Sequence, residues 1–381
     1  MDAYIYDAVR TPIGKRNGGL STTRPDDLAA IPLRAVVERA GIPAEAVEDV
    51  VMGCVTQIGE QGFNIGRIAA LIAGYPVTVC GTSVNRQCGS SLQALNFAAG
   101  MVASGQHDFV VASGVESMSR VAMGSDGGSM SEQLLDHYDI IPQGLSAEMI
   151  AKRWNLSRGE LDAFALRSHE RALHATDQGY FEREIVRVDA KAPDGTPFAV
   201  TSDEGPRRGG SLEKLGALKP AFKSDGVVTA ATSSQISDGA AAALIGSRAA
   251  GEKFGIKPRA KIVTTALAGI EPTIMLTGVI PATQKVLKKA GLTMEDIGLF
   301  EVNEAFASVV MSWAKDMGAD FEKVNVNGGA CALGHPLGAS GVRLMTTLLH
   351  EMERRDVRYG LATLCIGFGQ AVATIIDRNV N

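Results

Sequence analysis

No apolar run in the 381-residue sequence reaches the roughly 18 residues that a membrane-spanning helix needs, so no span is expected. Residues 1–16 contain acidic side chains and Pro12 where a secretory leader needs an apolar stretch. The closing run Asp377 to Asn381 does not form a peroxisomal address. Positive charge is not in surplus: the formal net charge is −5, which gives no global attraction for nucleic acid or an anionic membrane. An anionic ligand would have to be met by local groups. No two cysteines stand in C-x-x-C spacing. The five present (Cys54, Cys80, Cys88, Cys331 and Cys365) are an odd number in a long chain, so neither a disulfide framework nor a metal site is expected. A reducing cytoplasm fits, and a thiol is left for chemistry.

The composition is 45% hydrophobic and 21% charged, with material for more than one core, and the length suggests two or three domains. The chain also contains itself twice. Residues 40–47 resemble residues 290–297, His107–Ala112 falls on Val357–Ala362, and Cys88–Ser91 falls on Gly338–Gly341, all at one offset of 250. The register then breaks, because Gly239–Ile245 matches Gly369–Ile375 at an offset of 130. About 120 extra residues therefore lie between Glu116 and Asp238 in the first half. They open with the Gly/Ser/Met-rich run Met123–Met130 and include a charged helix candidate, residues 158–178, ended by Gly179.

Within each half, short β-branched runs alternate with helical patterns. Residues 3–8, 47–52 and 109–112 read as strands; residues 26–40, closed by Gly41, and 90–104, closed by Gly105, read as helices. The class is α/β. Two halves related by pseudo-symmetry would bring equivalent loops face to face, so a site is expected between them.

Four segments carry residues suited to chemistry. Cys88 follows an extended stretch and precedes the small residues Gly89, Ser90 and Ser91. Free N–H groups at a helix start stabilise a thiolate, the reactive form of a thiol. A buried core cysteine would look the same locally. His335 lies in the Gly/Pro-rich run Asn327–Gly341, which holds an imidazole in a fixed loop, where it can take a thiol's proton or donate to an oxyanion. The other histidines differ: His107, His137, His169 and His174 read as surface residues and His350 as a helix end. Cys365 ends a buried-strand pattern ahead of Gly367 and Gly369, where a second thiol can serve as acid and base. Asn303 and Glu304 join a strand to a helix; Asn303 can orient a water or donor, although its local context favours a helix cap.

Taken together these segments resemble the thiolase family. The matching patterns are Cys88 in N-x-x-C-x-S, the N-E-A-F run Asn303–Phe306, the run Asn327–Pro336, and C-x-G at Cys365, in thiolase order and spacing over essentially the whole chain. The resemblance implies a thiolase fold, two duplicated α/β halves in αβαβα layers with an inserted loop domain. The boundaries it suggests are 1–116 plus 237–250 for the N-terminal half, 117–236 for the loop (lid) domain and 251–381 for the C-terminal half. It implies that Cys88 takes the acyl group, His335 activates it, and Cys365 protonates the departing acetyl-CoA enolate and later deprotonates CoA. His335 with a water on Asn303 would form one oxyanion site, and the N–H groups of Cys88 and Gly367 the other. Arg207, Phe222, Ala230, Ser234, Ala305 and Phe306 match positions that contact coenzyme A, a substrate here, with no tightly bound cofactor. A cytoplasmic homodimer or homotetramer is implied, with a possible hydratase/dehydrogenase partner subunit.

Within the family the sequence is more similar to bacterial 3-ketoacyl-CoA thiolases of fatty acid oxidation, through Glu60–Ile65 and Cys365–Gln370. Acetoacetyl-CoA specialists carry His-Met before the G-x-[ST]-A-E run, where this chain has Pro142-Gln143. That implies acyl groups longer than acetoacetyl. Phe368, Ala371 and Val279 also depart from the usual pattern and bear on pocket shape rather than on chemistry. The short-chain acetyltransferase is the alternative. A related condensing enzyme would lack Cys365, a Cys-His-Asn hydrolase would leave the insert unexplained, and a mere scaffold subunit would not need the full catalytic set.

Overall fold

Each half repeats one order of elements, and the shared offset survives in the three-dimensional structure. A computed structural model describes residues 2–380. The first half runs β1 (Tyr4–Arg10), β2 (Gly14–Lys15), α1 (Pro25–Ala40), β3 (Asp49–Gly53), α2 (Ile65–Ile72), β4 (Cys80–Val84), α3 (Ser90–Ala103) and β5 (Phe109–Ser117). The inserted stretch follows as α4 (Glu132–His137), α5 (Gln143–Arg153), α6 (Arg158–Asp177), β6 (Val188–Lys191), β7 (Pro197–Val200) and α7 (Leu212–Gly216), and β8 (Ser237–Gly246) returns to the sheet. The chain continues through α8 (Arg248–Phe254), β9 (Ala260–Gly269), α9 (Val279–Ala290), β10 (Leu299–Val302), α10 (Ala307–Met317), α11 (Ala330–Leu333), α12 (Ser340–Arg355), β11 (Tyr359–Ile366) and β12 (Gln370–Asp377).

Helix α1 ends as predicted on a left-handed glycine, Gly41 at φ 74°, and α9 ends on its repeat counterpart, Gly291 at φ 68°. Helix α6 starts at a full capping box of Ser157 and Glu160. Strand β5 runs five residues past its predicted end at Ala112, to Ser117. Ser113 and Gly114 look like strand breakers, yet they continue the ladder because β3 and β8 flank them on both sides.

The sheet order is β10-β11-β12-β9-β1-β8-β5-β3-β4, with β2 also on β8. The halves meet at β1 and β9 through two residue pairs, Tyr4–Lys261 and Ile5–Ala260. Away from that seam each side repeats one pattern. The closing strand lies beside the first (β8 on β1, β12 on β9), and beyond it come a central strand (β5, β11) and its parallel neighbour (β3, β10).

Alternation along single strands shows the layers. In β8, Ala240, Ala242 and Leu244 face a core formed with α1 and α2, whereas Ala241, Ala243 and Ile245 face one formed with α3 and α12. In β12, Ala371, Ala373 and Ile375 face the core of α9 and α10, and Val372 and Ile376 face α3 and α12. The two sheet halves thus enclose α3 and α12 and carry further helices outside, the αβαβα layering of the thiolase fold. Burial on both faces explains why these strands read as near-continuous apolar runs.

Helix α12 is buried along nearly its whole length despite Arg343, Thr346, Thr347, His350 and Glu351. Its polar groups find partners inside. Thr347 donates to Glu184 (3.0 Å), and the His350 ring meets the Ala8 carbonyl (3.1 Å). His350 is therefore a buried mid-helix group rather than a helix end. Glu184 belongs to the insert and, with Asp203, grips the fully buried Arg10 at 2.6 and 2.7 Å, which ties the insert to β1.

The starts of α3 and α12 touch at backbone range. A Cβ on Gly341 would lie 2.1 Å from the Leu92 nitrogen, and one on Gly114 would lie 2.1 Å from the Gly338 carbonyl oxygen. Neither neighbour is a flexible side-chain end, so Gly341→Ala should destabilise the protein by about 2–3 kcal/mol, the cost of forced overpacking. Chemical denaturation of wild type and variant checks this; an unchanged unfolding midpoint would show that the helices separate freely.

Candidate active site

Cys88 lies in the turn that enters α3, whose N-cap is Gly89. The turn is held by its own polar groups. Asn85 accepts from the Gln87 N–H (2.8 Å), Ser90 Oγ accepts from the Arg86 N–H (3.0 Å), and Gln87 adopts φ 44°. The thiol is buried and packs with Val55, Met118 and Leu337, so it faces residues of both halves. Burial pushes its pKa up to about 11, and the N–H groups of Cys88 and Gly367 and the Gln143 side chain, all hydrogen-bonding to the sulfur, pull the other way. Desolvation outweighs the donors, so Cys88 rests as a thiol, and the helix start helps the thiolate only once the proton has left.

His335 is buried on its loop with both ring nitrogens engaged. Nδ1 lies 2.5 Å from Ser340 Oγ, and that hydroxyl also sits 2.8 Å from the Pro336 carbonyl. The one hydroxyl proton of Ser340 goes to the carbonyl, so Nδ1–H donates to Ser340 and the lone pair is on Nε2. Nε2 faces the Asn303 amide nitrogen at 3.2 Å. Burial, with the nearby Arg343 charge, lowers the imidazole pKa to about 3, so the ring is a neutral base. Asn303 is not the helix cap its sequence suggested. Helix α10 starts at Ala307 with Phe306 in the cap position, and the Asn303 side chain turns to His335 instead. Its Oδ1 is buried without a protein partner and is free to accept from a water.

Cys365, near the end of β11, is fully buried. Burial raises its pKa, and negative charge on Cys88 raises it further, so the two thiols lie within electrostatic reach. Gly367 lets two amide side chains close over it: a Cβ there would fall 2.0 Å from Gln87 Oε1 and 3.2 Å from Gln143 Nε2, so both would have to move aside. The five predicted residues Cys88, His335, Cys365, Asn303 and Gly367 thus come from four separate segments, three turns or loops and the end of β11 with the turn that follows it, and meet between the halves. Glu304 instead accepts from Ser168 Oγ (2.7 Å), Asn325 (3.0 Å) and the Cys331 N–H (3.1 Å), and so fixes α6 of the insert beside the His335 loop.

A cleft of about 670 Å³ opens beside this point, and Arg207, Phe222, Ala230 and Ser234 all line it. Ala305 and Phe306 lie behind its wall. The Ala305 carbonyl accepts from the Ser234 N–H (2.9 Å), and the Phe306 ring meets Phe222 edge to face at 5.8 Å. No carboxylate among the described residues pairs with Arg207; its backbone N–H donates to His169 Nδ1 (3.1 Å). His169 is thus half-buried behind Arg207 rather than freely exposed.

Sequence reasoning missed several groups. Lys15 and Arg16 add two cations to the same cleft, and only their adjacency hinted at it. Gln143 was visible as a departure from the family pattern but not as a neighbour of the nucleophile. Glu116, at the end of an apolar strand, accepts from the N–H groups of Val55 (3.0 Å), Thr56 (3.1 Å) and Gly338 (2.9 Å) and from Gln61 Nε2 (2.8 Å). It fixes the Cys88 wall and the His335 loop with one buried carboxylate.

The sequence model for the thiolase N-terminal domain matches residues 3–249, and that for the thiolase C-terminal domain matches residues 256–378. The chain belongs to the thiolase family. It is 48% identical to the steroid 3-ketoacyl-CoA thiolase FadA6 of Mycobacterium tuberculosis, over 99% of this chain and 94% of that protein. It is 45% identical to a 3-ketoacyl-CoA thiolase of Psychrobacter cryohalolentis, over 99% and 98% of the two chains. The crystal structure of the acetyl-CoA acetyltransferase of Bacillus anthracis matches with a TM-score of 0.92 at 38% identity, covering 99% of this chain and 98% of that one. Among the described residues of this thiolase no helix is long and apolar enough to cross a membrane.

A thiol with a pKa near 11 gains thiolate continuously as pH rises toward that value. Alkylation of Cys88 by iodoacetamide should therefore keep accelerating from pH 7 through pH 9 without a plateau. A plateau near pH 7 would reveal a preformed thiolate–imidazolium pair.

Proposed function

We propose that this thiolase cleaves 3-ketoacyl-CoA with free CoA, giving acetyl-CoA and a shortened acyl-CoA through an acyl-Cys88 intermediate. The observation that carries this reading is the second thiol, Cys365, placed within charge–charge reach of the first. A condensing enzyme without thiolytic cleavage has no use for it.

Cys88 attacks the C3 carbonyl carbon and its proton passes to Nε2 of His335. The developing C3 oxyanion meets the N–H groups of Cys88 and Gly367, donors fixed before the reaction starts. The C2–C3 bond then breaks, and C2 takes the proton of Cys365. The enolate oxygen of the departing acetyl-CoA is met by protonated His335 and a water on Asn303 Oδ1. In the second half-reaction the CoA thiol gives its proton to the Cys365 thiolate and attacks the acyl carbon. Cys88 leaves and recovers its proton from His335. Each group ends in its starting state, and the neutral pair at rest avoids burying an uncompensated charge.

Coenzyme A lies in the cleft of Arg207, Phe222, Ala230 and Ser234, with the pantetheine passing Ala305 and Phe306 toward Cys88. Lys15, Arg16 and Arg207, set against the one carboxylate of Glu204, leave the cleft with the local positive surplus that the net charge of −5 does not supply. In this reading residues 117–236 form a loop domain that acts as the CoA-binding lid, and no tightly bound cofactor takes part. A cytoplasmic homodimer or homotetramer is part of the same proposal. Strand β4 is a sheet edge, with Phe63, Leu71 and Val77 exposed around it, a surface suited to pairing with a second copy. A hydratase/dehydrogenase partner subunit would place the enzyme in fatty acid oxidation.

Incubation with a 3-ketoacyl-CoA in the absence of CoA should add the shortened acyl mass to the Cys88 peptide. Cys88→Ser should lose nearly all turnover, because an alkoxide is far harder to form than a thiolate. An acyl mass on another residue, or none, overturns the assignment. Arg207→Ala should raise KM for CoA about tenfold with kcat nearly unchanged, the signature of lost uniform binding. An unchanged KM would make Arg207 a surface charge only.

A further inference from the structure

A second cleft, of about 720 Å³, opens on the other side of the Cys365 turn and shares no residue with the CoA cleft. Leu134, Tyr138, Ile140, Ile270, Phe368 and Gln370 form much of its wall. It starts one residue from the nucleophile's surroundings. Phe368 directly follows Gly367, whose N–H points at Cys88. Arg86, two residues before Cys88, donates to Gln370 at 3.0 Å. The far wall is fixed, because Thr273 donates to the Asp139 carbonyl (2.7 Å) and Ser146 donates to the Thr273 carbonyl (2.6 Å).

Phe368 is the unusual part. It is an aromatic residue at φ 57°, in the left-handed region where a bulky side chain is strained, and it remains 43% exposed. Burial therefore does not compensate the strain. The effect of this backbone is to stand a flat ring in the cleft, whose wall also carries the half-exposed Tyr138 (45% exposed) and Leu134 (37% exposed). A flexible acyl chain would lose rotational freedom there while one side stayed in water. A rigid ring loses little freedom and can cover the Phe368 face.

Resting on the thiolase reading above, we infer that the acyl group carried by Cys88 lies in this second cleft, and that Phe368 makes the cleft select a rigid, ring-bearing acyl group over a flexible chain of the same carbon count. The test is thiolysis by the full-length enzyme of two ten-carbon substrates, 3-oxodecanoyl-CoA and 4-cyclohexyl-3-oxobutanoyl-CoA, with wild type and Phe368→Gly. Glycine is at ease at this φ, so the variant should fold at least as stably, which thermal unfolding verifies. The ring-bearing substrate should have the higher kcat/KM by about tenfold, and Phe368→Gly should remove most of that ratio. A linear substrate handled equally well or better overturns the inference, as does a ratio unchanged by Phe368→Gly. Either result leaves the thiolase reading intact, provided Cys88 still becomes acylated. Absence of thiolysis and of acyl-Cys88 with both substrates defeats that reading, and this inference with it.

Discussion

The structure depends on the contact between the starts of α3 and α12, packed at backbone distance between the two sheet halves. Gly341 permits it because a methyl group there would meet the Leu92 nitrogen at 2.1 Å, and Gly114 of β5 lets both helix starts seat on the sheet, since a methyl group there would meet the Gly338 carbonyl at 2.1 Å. Ser91 Oγ accepts from the Val342 N–H at 3.0 Å and fastens one helix start to the other. The nucleophile lies just before α3, and His335 lies just before α12. Any separation of the two helices would separate the thiol from its base.

Buried polar groups then fix what that contact brings together. Glu116 takes four donors from the loops around Cys88 and His335, and Glu304 takes three and joins α6 of the insert. Arg10 holds the same insert through Glu184 and Asp203. These charges are costly to bury singly and stable only as satisfied sets, so each rigidifies the loops it joins. The reacting groups themselves carry no charge at rest. Burial lifts both thiols and lowers His335, which leaves a neutral site whose fixed N–H donors await an oxyanion.

Much of this was legible before any fold was known. The offset of 250 between residues 40–47 and 290–297 reappears as two helices closed by Gly41 and Gly291, and the break in register marks the insert. Cys88, His335 and Cys365 stood out because glycine-rich flanks leave few other reasons for their placement. The local context of Asn303 favoured a cap, and only the family pattern pointed to the site, because its partner, His335, is 32 positions away along the chain. His350 was misread as a helix end because an isolated helix gives no sign of being enclosed between two sheets. Glu116 gave no local signal, and Gln143 gave none of its place beside the nucleophile, since a carboxylate or an amide shows its role only through the atoms that surround it.

The sequence by itself determined the duplication, the alternation of strand and helix, and the chemical types at the site, because these follow from local periodicity and from side-chain chemistry. Tertiary structure alone decided the protonation of Cys88, the pairing of His335 with Asn303 and the cations of the CoA cleft. It also decided that Phe368 stands in a cleft instead of a core. Each of these depends on desolvation or on a partner distant in sequence, and neither is set until the two halves close on one another.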